Sequence, residues 1–347
     1  MIEVQKDVDL HYLNTLALRS HCSHYVNIST ADQIPEAVTY AQQNGLNIFI
    51  LSGGSNLLLP QALNVLTLHM QNLGKEVLED QDDHVILKVQ AGEIWHDFVC
   101  DCTTKGYYGL ENLALIPGKV GAAPIQNIGA YGVEAGDFIE QIWAYDLVSS
   151  KDIVFSAADC NFGYRESIFK QHAGRYVLYA VSFKLSKTPQ MKLNYADVAQ
   201  RVGEYPTPQK LLETIIDIRQ NKLPQPSEYP NAGSFFKNPV ISAEQFKVFH
   251  QQYPLAPYYL QEGGQVKVAA GWLIDEAGWK GKKLGVVGMF EKQALVLVNY
   301  QDASLEDVKK TYHTVQDDIF RKFAISLEPE PVLLDDKGQV QSHRRVF

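Results

Sequence analysis

The stretch from Gly109 to Gly136 constrains this chain more than any other, because six glycines fall in one long loop between helical and strand-like segments. A connection of that length inside a compact domain is usually functional. Its centre reads Leu115-Ile116-Pro117-Gly118-Lys119-Val120-Gly121-Ala122-Ala123-Pro124-Ile125-Gln126-Asn127-Ile128-Gly129-Ala130-Tyr131-Gly132. Small residues there let backbone approach a ligand, two prolines stiffen the path, and the Gln126 and Asn127 amides suit the edge of a heteroaromatic ring. A second glycine turn, Ser52-Gly53-Gly54-Ser55-Asn56, leaves a buried strand. Its paired glycines permit positive φ, and consecutive amides in such turns form concavities that hold a pyrophosphate. Taken alone, it reads first as a tight turn capped by its own Ser and Asn, and only second as a phosphate-binding turn. The chain carries no G-x-G-x-x-G, P-loop, H-E-x-x-H or G-x-S-x-G signature, so any dinucleotide is held without the usual fingerprint.

Around these loops the pattern alternates helix and strand. A Ser/Thr cap at Ser29, apolar Ile34, Ala37, Val38 and Ala41, and Gly45 as a stop predict a helix. Strands Val26 to Ile28, Asn47 to Leu51 and Val65 to Leu68 complete a βαββ-like unit. A strand over Val85 to Val89 and a helix burying Trp95, Phe98, Val99 and Cys102 precede the long loop. Strands Ile142 to Leu147, Ile153 to Phe155 and Tyr176 to Leu185 follow it. Thr207 caps a helix opened by Pro208, and Lys222-Leu223-Pro224-Gln225-Pro226 reads as a stiff linker and domain boundary. Ser304 and Asp307 predict a capping box on a helix whose apolar stripe is Leu305, Val308, Tyr312, Val315 and Ile319. Trp272 and Trp279 read as core.

Composition narrows the partners. The 347 residues suffice for two or three domains, and the net charge of −9 argues against nucleic acid or an anionic membrane as partner. A small molecule is expected instead. No apolar run approaches the roughly 20 residues that span a bilayer, and the opening residues lack an export signal, so the cytoplasm is the expected compartment. Cys22, Cys100, Cys102 and Cys160 read as free thiols, and the ten histidines show no ligand spacing, so no metal is expected.

The two glycine loops resemble the flavin-binding loops of the UDP-N-acetylenolpyruvoylglucosamine reductase (MurB) family. Phe162-Gly163-Tyr164-Arg165-Glu166-Ser167-Ile168-Phe169-Lys170, Asn231-Ala232-Gly233-Ser234-Phe235-Phe236-Lys237-Asn238-Pro239, Ala269-Ala270-Gly271-Trp272-Leu273-Ile274-Asp275 and Leu327-Glu328-Pro329-Glu330 resemble later family motifs, in family order. The resemblance implies an α+β, three-domain flavoprotein with a two-part FAD-binding region of the vanillyl-alcohol-oxidase-like (PCMH-type) fold and a smaller α+β substrate domain. The implied boundaries are 1–71 and 72–222 (completed by 325–347) for the FAD-binding parts and 223–324 for the substrate domain. It implies non-covalent FAD, NADPH as co-substrate, and conversion of UDP-N-acetylglucosamine enolpyruvate to UDP-N-acetylmuramate by a monomeric enzyme, in ping-pong hydride transfer.

Hydride attack on the vinyl carbon pushes negative charge onto the neighbouring carbon and its carboxylate, so the chemistry needs a cation and a proton donor. Arg165 suits the first role, its planar guanidinium gripping a carboxylate through two bonds. By resemblance Ser234 is the proton donor, with Lys237 a neighbouring candidate for steadying its alkoxide, and Glu330 is a carboxyl that serves best protonated. Glu328 shares a face with Glu330 if the segment is extended, and spacing alone does not choose between them. The implied flavin contacts are Ser52, Gly53, Gly54, Ser55, Asn56, Ile116, Pro117, Gly118, Gly121, Ala122, Ala123, Gln126, Asn127, Gly129, Ala130 and Gly132. The implied substrate contacts are Tyr164, Tyr195, Arg219, Lys222, Asn238 and Gln293. Tyr195 lies in a segment resembling a mobile tyrosine loop over the nucleotide, and Arg219 and Lys222 share one helix face as a phosphate clamp or, alternatively, as a solvated basic helix end. Ala122 and Ala123 stand where two serines are usual, which leaves their backbone amides as donors. Ala196 after Tyr195 and Pro331 after Glu330 are further departures. Two other readings stay open: another FAD enzyme of the superfamily, which a tethering His or Cys would favour although neither occurs in the flavin-loop stretches, and a sugar-nucleotide binder without turnover.

Overall fold

The structure, a computed structural model, describes residues 1–193, 195 and 198–343. Ala196 and its neighbours Asn194 and Asp197 therefore lie outside the described residues. The chain divides into two compact units: residues 1–8, 22–54 and 64–220 form the first, and residues 9–21, 55–63 and 221–347 the second.

Among the described residues the first unit contains a two-stranded ribbon, Gly129–Ala130 with Val133–Glu134, and two larger sheets, with two apolar cores. In the smaller of these two sheets, the strands Asn47–Leu51 and Ala62–Met70 run parallel, with Asn47 opposite Val65, which fits their shared Val/Ile/Leu character. The helix Gln33–Gln43 buries Ile34, Ala37, Val38 and Ala41 there, the stripe expected from spacing. Its start differs from expectation. Asp32 is the N-terminal flanking residue and makes no side-chain cap; instead the Gln33 side chain reaches back to accept from the Ser29 and Thr30 amides. The larger sheet holds five antiparallel strands ordered Lys151–Ser156, Ile139–Asp146, Tyr176–Ser186, His84–Gln90 and Lys75–Asp80. The helix Trp95–Thr104 buries Trp95, Phe98, Val99 and Cys102 in this second core. Trp95 and Phe98 meet Phe183 of the central strand with ring centroids 5.8 and 5.1 Å apart. The helix Pro208–Lys222 adds Leu211, Leu212, Ile215 and Ile218, and Thr207 Oγ1 accepts from the Lys210 amide as a cap should.

In the second unit, the strands Asn231–Ser234, Val296–Asn299, Val287–Met289 and Lys283–Leu284 form one sheet in that order. The helix Leu305–Phe323 carries the expected Ser304/Asp307 capping box and buries Val308, Tyr312, Val315 and Ile319. Trp279 is buried in this core and Trp272 packs against it. Leu57–Leu58 pairs in parallel with Val332–Leu334, and Ile325, Leu327 and Leu333 sink into the same core. The four cysteines are free. No helix among the described residues is long and apolar enough to cross a membrane.

Candidate active site

In the first unit the two glycine loops, more than sixty residues apart in sequence, close on each other. A Cβ at Gly53 would stand 2.8 Å from the Gly118 Cα, so only hydrogen at Gly53 permits this approach of backbone to backbone. Gly54 and Gly118 take positive φ, at 62° and 119°. Among the described residues the N–H groups of Gly53, Gly54, Gly118 and Lys119 donate to no acceptor, and the Ser52 Oγ is buried without a partner. Such unpaired donors at a convergence of two turns fit the phosphates of FAD.

The rest of the long loop is tied down. The Ala122 and Ala123 amides donate to the Lys119 and Val120 carbonyls at 3.0 and 3.1 Å, so these amides, expected from sequence to remain as donors, are consumed by a short helical turn. Gly121 is buried, and a Cβ there would meet the Ala91 Cβ at 2.5 Å. His96 and Trp95 hold the loop's entry: the Leu115 amide donates to His96 Nδ1 at 3.1 Å, and Trp95 Nε1 donates to the Leu113 carbonyl at 2.9 Å. Asn127 is buried and uses both ends of its amide, donating to Glu134 Oε2 at 2.6 Å and accepting from the Gly136 amide at 2.7 Å. Its Nδ2 also reaches the Gly163 carbonyl at 3.2 Å. Asn127 thus staples the loop to the turn that bears Arg165, which makes it a fixing residue for that turn.

That turn is a two-residue connection in which Gly163 and Glu166 exchange backbone hydrogen bonds, leaving Tyr164 and Arg165 at the tip. Ser167 donates from its Oγ to the Ile125 carbonyl at 2.7 Å, and Lys170 Nζ donates to the Arg165 carbonyl at 2.7 Å. Arg165 itself sits at φ 54°, and Leu115, Asn127 and Tyr131 at 57°, 42° and 50°. Left-handed backbone at such residues costs about 1–3 kcal/mol each, and four of them gathered in and beside one loop mark a site held by its surroundings.

Arg219 lies at the same place. It hydrogen-bonds Tyr131, and burial followed by the nearby Arg165 guanidinium pulls its own below the usual range, against the opposing pull of Tyr131. Tyr195 stands edge-on to Tyr131 with centroids 5.6 Å apart. Asn112, which sequence reasoning missed, is buried and bridges the Tyr131 and Lys192 carbonyls at 3.0 and 2.9 Å. A buried Asn in a short helical turn gives no signal in a single sequence.

In the second unit Ser234 ends the strand Asn231–Ser234, paired with Val296 across an irregular register. Asn231 is buried, donates to the Pro224 and Tyr229 carbonyls at 3.1 and 2.7 Å, and accepts from the Gly233 amide at 2.8 Å. Gly233 turns through φ 71° before Ser234, and the fully buried Phe235 and Phe236 follow as anchors. The Glu330 amide donates to the Phe235 carbonyl at 2.8 Å, which sets the segment carrying Glu330 against the residue that follows Ser234. Asn56 joins them, accepting from the Val332 amide at 2.9 Å and reaching the Glu330 carbonyl with its Nδ2 at 3.4 Å. Glu328 is exposed and ion-paired with Lys237. The pair takes Lys237 and Glu328 together, leaving Glu330 as the partly buried carboxyl of this segment.

Asn238 and Gln293 meet at the start of the helix Ala270–Glu276. Asn238 Oδ1 accepts from the Ala270 amide at 2.9 Å, and Gln293 Oε1 lies 3.4 Å from where a Gly271 Cβ would be. Lys222 is exposed at the end of its helix.

Residues 22–154 match the family described as FAD binding domain. With the glycine cradle they define the chain as a flavoprotein of the α+β class expected from its sequence. Residues 225–334 match the family described as UDP-N-acetylenolpyruvoylglucosamine reductase, C-terminal domain. UDP-N-acetylenolpyruvoylglucosamine reductase of Dechloromonas aromatica (strain RCB) is 46% identical over 336 residues, 94% of this chain and 98% of that protein. The enzyme of the same name from Pseudomonas putida is 44% identical, over 96% of this chain and 99% of that one. The crystal structure of UDP-N-acetylenolpyruvylglucosamine reductase (MurB) from Thermus caldophilus shares the fold, with a TM-score of 0.67 at 20% identity over 96% of this chain and 99% of that one. The chain belongs to the UDP-N-acetylenolpyruvoylglucosamine reductase family.

Proposed function

We propose that this chain reduces the enolpyruvyl ether of UDP-N-acetylglucosamine enolpyruvate to UDP-N-acetylmuramate, with NADPH as co-substrate and FAD as cofactor. The reaction belongs to peptidoglycan precursor synthesis, and hence to cell wall biogenesis, cell shape and cell division, in the cytoplasm. The near-full-length similarity to reductases of this name carries the reading. The protein works as a monomer on small molecules, without nucleic acid or membrane. Its FAD-binding part is read as residues 1–71 and 72–222, completed by 325–347, and its substrate domain as residues 223–324; the larger core of the first unit falls wholly after residue 71, and the smaller one mostly before it.

Bound FAD would supply hydride transfer between NADPH and the vinyl carbon of the substrate. The N–H groups of Gly53, Gly54 and Gly118 hold its diphosphate, with Ser52, Ser55, Asn56 and the loop from Ile116 to Gly132 around it. Arg165 grips the substrate carboxylate and remains charged throughout. Ser234 gives its Oγ proton to the carbon that becomes tetrahedral, a transfer that works because the carbanion formed there is strongly basic. Glu330 supports the carboxylate as charge builds on it. Tyr164, Tyr195, Arg219, Lys222, Asn238 and Gln293 hold the sugar nucleotide; Tyr131 seats Tyr195 for this task.

Anaerobic half-reactions test the roles. NADPH bleaches the flavin of the Ser234→Ala variant at the wild-type rate, while reoxidation by the enolpyruvyl substrate slows about 10²–10⁴-fold, the usual worth of a positioned proton donor. Equal slowing of both half-reactions would remove Ser234 from this role.

A further inference from the structure

Behind the Ser52–Gly54 turn lies a cluster that the reaction does not use. Lys119 is half-buried; its Nζ donates to the Met70 carbonyl at 2.7 Å and lies 3.4 Å from His69 Nε2. His69 is 5% exposed, meets the Tyr25 hydroxyl at 2.5 Å through Nδ1, and hydrogen-bonds the Ser52 backbone. Burial, then the Lys119 ammonium, push His69 down to about 4, so it is neutral at physiological pH. No carboxylate pairs with Lys119 among the described residues, and burial pulls its ammonium below the ordinary lysine range. A cation drawn out of water needs a counter-charge, and a lone carbonyl is not one.

The same turn supplies the place for that charge. The Lys119 backbone nitrogen is 3.6 Å from where a Gly53 Cβ would be, its main-chain N–H has no acceptor among the described residues, and the Ser52 Oγ is orphaned. Ala122 and Ala123 bring no hydroxyls to the loop, and the chain as a whole is acidic at −9. We propose that Lys119 is the cation that holds the diphosphate of FAD, stationed behind the Ser52–Gly54 turn and doing by charge what hydroxyl donors in the long loop would do by hydrogen bonding. This rests on placing the diphosphate at the meeting of the two glycine loops. Lys119 then sets flavin retention and takes no part in hydride transfer.

The test is binding of FAD and of riboflavin, which lacks phosphate, to the full-length protein stripped of flavin, followed by flavin fluorescence. Lys119→Met weakens FAD by about 10- to 100-fold, the range of a charge-assisted bond, and leaves riboflavin unchanged. Lys119→Gln keeps a donor for the Met70 carbonyl and so preserves that tie should the methionine variant fail to fold; it loses FAD affinity equally. Lys119→Arg stays within about threefold of wild type. Unchanged FAD affinity in the Met and Gln variants, or parallel loss of riboflavin, overturns the proposal. Wild-type protein that binds FAD no tighter than riboflavin overturns instead the placement of the diphosphate on which it rests.

Discussion

The glycine cradle of the first unit and the Ser234–Glu330 strands of the second solve different problems with different materials. The cradle is made of backbone: Gly53 and Gly118 touch through their main chains, four side-chain-bearing residues are forced to positive φ, and the side chains that matter, Asn127 and Ser167, serve as staples. The second unit offers side chains, Ser234 at the end of a strand and Glu330 on the segment bonded to Phe235, held by the buried Phe235 and Phe236 and by Asn231. A backbone site tolerates almost no added volume, whereas a side-chain site tolerates volume and is sensitive to the loss of a functional group. On the proposed roles, the contrast separates substitutions expected to abolish cofactor retention from those expected to abolish chemistry alone.

The largest effect that could break the contrast is at Gly53. Gly53→Val drives a branched side chain into the Gly118 backbone, and the purified variant should carry less than about a tenth of the wild-type flavin, read by absorbance against protein, with overpacking of about 1–3 kcal/mol. Normal flavin content would show that the close approach is not required. In the second unit, Glu330→Ala should lower kcat for the enolpyruvyl substrate about 100-fold and Glu330→Gln much less, since glutamine mimics a protonated carboxyl. Glu328→Gln should stay within about twofold, because Glu328 is exposed and loses only a surface ion pair.

Smaller effects sharpen the comparison. Asn127→Ala strands the Gly136 amide and frees the Gly163 turn, and should lower thermal stability by about 1–3 kcal/mol while raising KM through Arg165. On the pH axis, His69 binds its proton near 6.5 when unfolded and at about 4 when folded, so the unfolded chain holds more protons in between. Stability should therefore fall as pH drops from about 6.5 to about 4, and a His69→Gln variant, compared by chemical denaturation, should show a shallower fall. Ser304→Ala, remote from both sites, should cost only about 1 kcal/mol of cap energy and leave kinetics unchanged.

Much of this was legible in the sequence where the signal is local. The Ser304/Asp307 box, the Thr207 cap and the apolar stripe from Ile34 to Ala41 are read within a few residues and hold in the structure. The cap expected at Ser29 is absent because the helix begins only at Gln33, whose side chain instead accepts from the Ser29 amide. The glycine loops announced a backbone site, but not that they meet, since residues 53 and 118 are brought together by tertiary folding. The Lys119, His69 and Tyr25 cluster was invisible for the same reason. Spacing left Glu328 and Glu330 equivalent; the exposure and Lys237 ion pair of Glu328 and the partial burial of Glu330 separate them.

The central claim is the reaction itself, and product analysis tests it most directly. Purified yellow protein should oxidise NADPH beyond one equivalent per flavin only when the enolpyruvyl sugar nucleotide is present, with one equivalent of product, heavier by two hydrogens, for each NADPH consumed. Flavin-bearing protein that leaves the sugar nucleotide at its original mass would contradict the account.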